Sequence, residues 1–156
     1  MSRAHIGAAL AVAALALAGT ASADSADKAG GHDRTIRLAQ ADKTLQPTFV
    51  DTGKPGPSAG DLAVLHDGVQ RSGAPAGSFS QVCTLASLGV SPFTSEFECV
   101  GSITLKDGTI TMAGPFVPAR AEQSAAITGG TGQYRTAHGE VVIRAEADQL
   151  LVKLAR

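Results

Sequence analysis

The sequence lacks tryptophan and has few aromatic side chains, with five phenylalanines and one tyrosine among 156 residues. It also lacks a strong charge of either sign: the formal net charge is −1, and no run of lysine and arginine forms a basic patch. Domains that bind nucleic acid usually carry such a patch. The sequence therefore gives no reason to expect a nucleic-acid partner.

Long hydrophobic runs are also missing, apart from one near the N-terminus. A short basic start is followed by an apolar run from Ile6 to Gly19 and then by the small residues Ala21-Ser22-Ala23. This order is typical of a cleavable signal peptide, and the run is shorter than the roughly 20 residues that cross a membrane as a helix. We predict a signal peptide over residues 1–23, a secreted, extracellular mature protein, and no membrane partner after cleavage. An uncleaved anchor helix is the alternative.

Metal-ligand and nucleophile patterns are absent as well. His66 and His138 have no ligand partners at a recognised spacing, and no serine lies in a G-x-S-x-G turn. We therefore predict no metal site and no cofactor. The only cysteines are Cys83 and Cys99, and an even number in an exported chain usually forms a disulfide. Two buried thiols or one reactive thiolate are the alternatives.

The chain after the signal is divided between a polar segment and a β-rich domain. Residues 24–43 lack apolar periodicity and predict a disordered lead-in, and residues 44–156 predict one domain. Glycine and proline occur too often there for long helices. The candidate strands are Gln46–Asp51, Asp61–His66, Ser78–Leu85, Glu96–Leu105, Thr109–Val117, Glu122–Ile127, Glu140–Ala145 and Leu150–Leu154. About eight short strands at near-regular spacing indicate an all-β barrel or sandwich.

The two cysteines fall on sequential predicted strands and suggest how these strands pair. If Cys83 lies opposite Cys99, apolar side chains gather on one face of the hairpin and polar ones on the other. The apolar face then carries Phe79, Leu85, Phe97, Ile103 and Leu105 together with the cysteines. The disulfide would lie on this interior face, although other registers also bring two cysteines close.

The densest glycine segment, residues 127–143, reads ITGGTGQYRTAHGEVVI. A nucleotide-binding P-loop requires a lysine where Gln133 follows Gly132, and the β-branched residues after the segment do not favour the helix of a dinucleotide fingerprint. We interpret the segment as a sharp connection between strands, with the ring of Tyr134 against the end of the barrel. The glycines that supply unusual backbone angles there are Gly129, Gly130, Gly132 and Gly139.

The same segment resembles a known family. Its Gly-Gly-Thr-Gly-x-Tyr-x-x-Ala-x-Gly pattern, residues 129–139, is similar to the signature of dirigent proteins and their relatives in the allene oxide cyclase-like barrel superfamily. Gly60-Asp61 and Val100–Leu105 resemble other parts of the family pattern, so the resemblance covers about Thr48 to Val142. It implies a secreted bacterial member with an eight-stranded antiparallel up-and-down barrel of the calycin-like type. It also implies a homo-oligomer, a trimer or dimer.

The resemblance further implies an apolar lumen that holds a small molecule. Dirigent proteins steer the coupling of phenoxy radicals, and allene oxide cyclases close a ring in a fatty-acid-derived epoxide. In such barrels the lumen mainly promotes the reaction by holding an apolar substrate in one conformation. The aromatic residues expected to line the lumen and bind a ligand are Phe79, Phe97, Phe116 and Tyr134. Phe79 stands where dirigent proteins have a tyrosine.

Three ionisable residues are candidates for catalysis. His66 is a candidate proton donor at the barrel mouth, and a surface histidine at a strand end is the alternative. Arg120 and Glu122 share one face after a predicted strand end, where the family often has a charged pair. A surface ion pair of little energetic weight is the alternative there.

The sequence thus predicts a secreted barrel that binds an apolar small molecule in its lumen and can steer its cyclisation or isomerisation. An enzyme would be an isomerase or cyclase that needs neither metal nor nucleotide. A carrier would need only an open apolar lumen. A structural or assembly protein would have a lumen filled by side chains.

Overall fold

The computed structural model of the protein describes residues 34–42, 44 and 46–155. The predicted signal peptide, residues 1–23, and the first part of the predicted lead-in lie outside the described residues. The strands are β1 Arg34–Gln40, β2 Thr48–Val50, β3 Leu62–Arg71, β4 Ala74–Ser87, β5 Glu96–Leu105, β6 Gly108–Phe116, β7 Glu122–Gly130, β8 His138–Arg144 and β9 Gln149–Ala155. All nine belong to one compact unit.

The sheet closes on itself because β1 pairs with strands on both of its sides. β1 runs antiparallel to β9 over most of its length, and its last residues, Ala39 and Gln40, pair with Gln70 and Val69 of β3. The short strand β2 pairs with the opposite end of β3. β1 and β2 thus share one position beside β3, each pairing with a different end of it, so nine strands form a closed eight-stranded antiparallel barrel. This confirms the predicted fold class.

The strand that closes the barrel lies in the segment for which the sequence predicted disorder. Residues 34–40 form β1, and Ile36 and Leu38 on alternate positions are buried in the interior. Polar and charged neighbours on the outward positions conceal this pattern, because a strand with only two large apolar side chains gives a weak periodic signal. The domain of the structure therefore begins ten residues earlier than residue 44.

The two ends of the barrel differ in their connections. Four longer connections, residues 51–61, 88–95, 117–121 and 145–148, lie at one end, which we call the loop end. The short turns at 72–73 and 106–107 lie at the other, the turn end, together with the glycine segment that joins β7 to β8.

The pairing of β4 with β5 has the predicted register. Cys83 lies opposite Cys99, and a disulfide joins them. Phe79 lies opposite Ile103 and Leu85 lies opposite Phe97, so the apolar face of this hairpin faces the interior. The predicted disulfide and its interior position are both confirmed.

The interior contains two clusters of apolar side chains. The larger one fills the turn end and the middle of the barrel; its large members include Ile36, Phe79, Ile103, Ile110, Tyr134 and Leu150. The smaller one lies toward the loop end and consists of Ala63, Cys83, Leu85, Phe97 and Cys99, with Phe116 packed against it. Side chains thus fill the turn-end part of the lumen.

The glycine segment closes the turn end. A single 3-10 turn, Gly132–Tyr134, buries the tyrosine ring in the larger cluster. The amide of Gln133 donates to the carbonyl oxygen of Asp107 at 2.9 Å, which ties the segment to the β5–β6 turn. Gly132 has a φ of +58°, and a Cβ atom there would lie 2.3 Å from that same carbonyl oxygen. Only glycine fits this approach.

We predict that the Cys83→Ala/Cys99→Ala double variant loses about 3 kcal/mol of its free energy of unfolding, because a cross-link over a loop of this length restricts the unfolded chain by that amount. Denaturant unfolding with and without reductant measures the change. Reductant should destabilise the wild-type protein and leave the double variant unaffected. Equal stability of the reduced and oxidised wild-type protein would contradict the prediction.

We predict that Gly132→Ala lowers the free energy of unfolding by more than about 2 kcal/mol, because it adds a steric clash to the cost of a left-handed backbone. Gly56→Ala is the matched control. Gly56 also has a positive φ, +92°, but no atom lies within 4 Å of the position of its Cβ. The control should lose clearly less, and equal losses in the two variants would show that the contact with Asp107 is unimportant.

Candidate functional site

A cavity of about 500 Å³ opens at the loop end of the barrel. Its walls come from β2 with the connection that follows it and from the β4–β5 connection; the apolar wall residues are Phe49, Val50, Leu62, Leu88, Val90 and Pro92. Leu85 and Phe97 also line it, and both are buried members of the smaller cluster. The cavity therefore has an apolar floor inside the barrel and apolar walls that reach solvent.

The floor of the cavity is covalently fixed. Leu85 and Phe97 face each other across β4 and β5, two residues from the bridged pair Cys83 and Cys99. The disulfide prevents these strands from separating beneath the cavity. Phe116 lies opposite Phe97 on β6 and packs against the smaller cluster beside the floor.

Hydrogen bonds hold the walls in place. The amide of Leu85 donates to the carbonyl oxygen of Asp61 at 2.8 Å, and the amide of Gly60 donates to the carbonyl oxygen of Leu85 at 2.9 Å. The amide of Ala119 donates to the carbonyl oxygen of Phe93 at 2.9 Å, which joins the β6–β7 connection to the β4–β5 connection. Both walls are thereby anchored to neighbouring parts of the barrel.

The polar side chains of the cavity wall bond within their own loops. Asp61 accepts hydrogen bonds from the amide of Ser58 at 2.6 Å and from the amide of Thr52 at 3.0 Å. These backbone donors, Thr52 first and then Ser58, hold the pKa of the Asp61 carboxyl below its usual value, since they stabilise the ionised form. Asp51 accepts from the amides of Gly53 and Gly56. Both carboxylates therefore shape the wall.

Ser95 is the most deeply buried polar residue of the wall. Its hydroxyl donates to the carbonyl oxygen of Ser91 at 3.0 Å and accepts from the amide of Gly89 at 3.1 Å. Both bonds lie within the β4–β5 connection, so this serine also holds a loop.

The barrel interior contains three polar side chains that the sequence analysis did not single out: Asp67, Gln81 and Gln123. Asp67 lies opposite Phe79 in the filled part of the lumen and accepts from the amide of Asp42 at 3.2 Å. The Nε2 of Gln81 lies 3.1 Å from the Sγ of Cys83. Strand alternation could have identified all three, because each shares its parity with buried apolar neighbours.

The three predicted catalytic residues lie away from the cavity lining. His66 is exposed, with its Nδ1 at 2.7 Å from the Oγ of Ser80, because Asp67 takes the inward position next to it. Arg120 is exposed in the β6–β7 connection. Glu122 pairs with the Nε of Arg144 at 2.7 Å rather than with Arg120, and this pair is open to solvent. The structure does not bring the three residues together.

The four predicted lumen aromatics divide between the two ends. Phe97 lines the cavity and Phe116 packs beside it, whereas Phe79 and Tyr134 are buried in the larger cluster. The open part of the lumen is therefore at the loop end.

Clusters of metal ligands and membrane-spanning helices are both absent from the described part of the chain. Over that part of the chain, no three histidine, cysteine, aspartate or glutamate side chains gather as a metal site. No helix among the described residues has the length and apolar character needed to cross a membrane.

Residues 35–154 match the family model described as the allene oxide cyclase barrel like domain. The match covers most of the chain and the whole of the closed barrel except the two residues at its ends. The chain belongs to this family. A search of curated proteins found no significant match.

Solved structures of related barrels support this assignment. A pyocyanin demethylase is 30% identical to the chain, with a TM-score of 0.66, and the alignment covers 78% of this chain and 100% of that one. A Diels–Alderase from Streptomyces koyangensis is 16% identical, with a TM-score of 0.57 and coverage of 81% and 70%. A pterocarpan synthase dirigent protein is 15% identical, with a TM-score of 0.53 and coverage of 83% and 91%. The Diels–Alderase and the dirigent protein show only that their fold is shared with this chain.

We predict that Asp61→Asn weakens the acid sensitivity of the protein. The folded pKa of Asp61 lies below its unfolded value of about 3.9, so its carboxylate stabilises the fold above that pH, and this contribution is lost as the pH falls through the folded pKa. Urea unfolding at pH 5 and pH 3 should show a smaller fall in stability for the variant than for the wild-type protein. Equal falls would mean that other groups cause the acid sensitivity.

Proposed function

We propose that the protein binds an apolar small molecule in the loop-end cavity. The observation that carries this proposal is the cavity itself: about 500 Å³, with mainly apolar walls and a floor braced by a disulfide. Ligand sites typically measure roughly 300–1,000 Å³ and are lined mostly by apolar side chains. The family assignment and the names of the related structures, which include enzymes that act on small molecules, support the same function.

The charges of the wall narrow the class of ligand. Asp51 and Asp61 line the cavity, whereas no lysine or arginine among the described residues does. An anionic group would be repelled by these carboxylates and would find no cationic partner in the wall. The expected ligand is therefore a neutral or weakly basic compound that fits a cavity of about 500 Å³. Pyocyanin, which the name of one relative gives as a substrate, is a reasonable first probe.

Conversion of the bound ligand is a second candidate function, and the names of the relatives favour it. The carboxyl of Asp67 lies in the filled part of the lumen beside Phe79, so an apolar ligand at the loop end does not reach it. The inward amides of Gln81 and Gln123 do not titrate, and the carboxylates that line the cavity, Asp51 and Asp61, accept hydrogen bonds from backbone amides of their own loop. Cyclisation or isomerisation by confinement thus fits the site better than acid–base chemistry.

Export of the protein is part of the proposal. The signal-like sequence of residues 1–23 supports it, and so does the disulfide, since such bonds persist in oxidising compartments.

The proposal predicts that pocket-wall substitutions weaken binding of a neutral apolar fluorescent probe. The Leu88→Ser/Val90→Ser variant should bind it about tenfold more weakly, because two apolar side chains of the wall are lost. Both residues are exposed in the free protein, so the fold should be unaffected. Titration of probe fluorescence measures the affinity.

Val100→Ser is the matched control for this experiment. Val100 is 63% exposed on β5 and does not line the loop-end cavity. Its replacement should leave the affinity unchanged. A probe that binds all three proteins equally, or none of them, would contradict the proposed site.

A further inference from the structure

Gln123 has a buried hydrogen-bond donor without a partner. Its side chain is 8% exposed, and its Nε2 is the one buried side-chain nitrogen or oxygen without a hydrogen bond among the residues that the structure describes. A buried polar group left unpaired destabilises the fold, so each such group requires an explanation.

The orientation of this amide is fixed by its other end. The Oε1 of Gln123 accepts a hydrogen bond from the amide of Val117 at 2.6 Å. A flipped side chain would set two donors against each other, because the amide of Val117 can only donate. The NH₂ group is therefore the free end. It belongs to the interior, since Gln123 shares its parity on β7 with the buried residues Ala125 and Ile127.

The donor lies next to the floor of the cavity along the barrel wall. Phe97 lines the cavity and pairs with Phe116 on β6. The register of β6 with β7, in which Ala113 lies opposite Ala126, places Gln123 beside Phe116 when it is continued. Neighbouring positions on β5, β6 and β7 are therefore occupied by Phe97, Phe116 and Gln123. Phe116, between the other two, is only partly buried. Neither Phe116 nor Gln123 lines the cavity of the free protein, so a ligand seated on Phe97 contacts the amide only once the partly buried ring of Phe116 moves aside.

We propose that Gln123 is the polar anchor of the ligand site, where its Nε2 donates a hydrogen bond to a carbonyl, ether or aromatic-nitrogen acceptor of an otherwise apolar ligand. This inference rests on the proposed function and narrows its ligand class to neutral compounds with one acceptor at the buried end. The protein should discriminate strongly between ligands with and without this acceptor, because a ligand that lacks it leaves the buried donor of Gln123 unpaired. Gln123 would thus select among ligands of equal size.

A matched pair of probes tests the anchor: fluorene and fluorenone, two rigid tricyclic compounds of nearly equal size, of which only fluorenone carries a carbonyl oxygen. The wild-type protein should bind fluorenone about five- to twentyfold more tightly than fluorene. Gln123→Met has a side chain of similar length without a donor. It should bind the two probes equally, with its affinity for fluorene near the wild-type value. Calorimetric titration measures the four affinities.

A vibrational measurement on the wild-type protein makes the test independent of whether the variant folds. The carbonyl stretching frequency of bound fluorenone should be lower than that of fluorenone in an apolar solvent, as a hydrogen bond to the oxygen requires. In Gln123→Met, if it folds, this shift should disappear.

The outcomes separate the two proposals. Binding of both probes with equal affinity, or with an unshifted carbonyl frequency, would overturn the role of Gln123 and leave the apolar site intact. A preference for fluorenone that persists in Gln123→Met would also overturn it, since the donor would then lie elsewhere. Binding of neither probe to the wild-type protein would overturn the proposed site and the anchor together.

Discussion

Closure of the sheet is the constraint on which the rest of the structure depends. Once β1 joins β9 to β3, every strand except the short, exposed β2 has one face toward a common interior and one toward solvent. The side-chain period of two then assigns each residue of these strands to one of the two faces. This assignment decides which groups are available to a ligand. It puts Asp67 inside and His66 outside although the two are adjacent, and it places Gln123 inside while its neighbour Glu122 pairs with Arg144 on the surface.

The interior has two parts, a turn-end part packed with side chains and a loop-end part that holds the cavity. Tyr134 and Phe79 occupy the turn-end side, together with the aliphatic residues of the larger cluster. At the level of the disulfide the inward position of β6 is Gly114, opposite Cys99, and beyond this level the loop-end connections form the walls of the cavity. The disulfide lies at the boundary between these regions. For the proposed ligand, a rigid floor at this depth would allow entry and orientation without disturbing the packed half of the barrel.

Local patterns in the sequence were sufficient for the all-β class, the disulfide and the register of β4 with β5, because these depend on alternation and on pairs of residues close in the chain. The choice of an eight-stranded barrel over a sandwich came from the family resemblance of residues 129–139. β1 could not be predicted in the same way: its partners, β9 and β3, are distant in sequence, and Ile36 and Leu38 are its only large apolar residues. The cavity was missed because its walls are loops, whose positions depend on long-range bonds such as that between Leu85 and Asp61. Gln123 was missed because a buried glutamine among polar neighbours has no sequence signature beyond its parity.

The chemistry that the barrel can support follows from the kind of polar group that its accessible interior contains. The carboxylates near the cavity, Asp51 and Asp61, are engaged by backbone amides, and the inward carboxylate Asp67 is packed against Phe79. The polar groups left toward the loop end are amides, which orient a ligand but neither accept nor release a proton at neutral pH. A site of this kind lowers a barrier by holding reacting atoms close together and excluding water. Any reaction in this cavity is therefore expected to be one whose bonds rearrange within a single bound molecule.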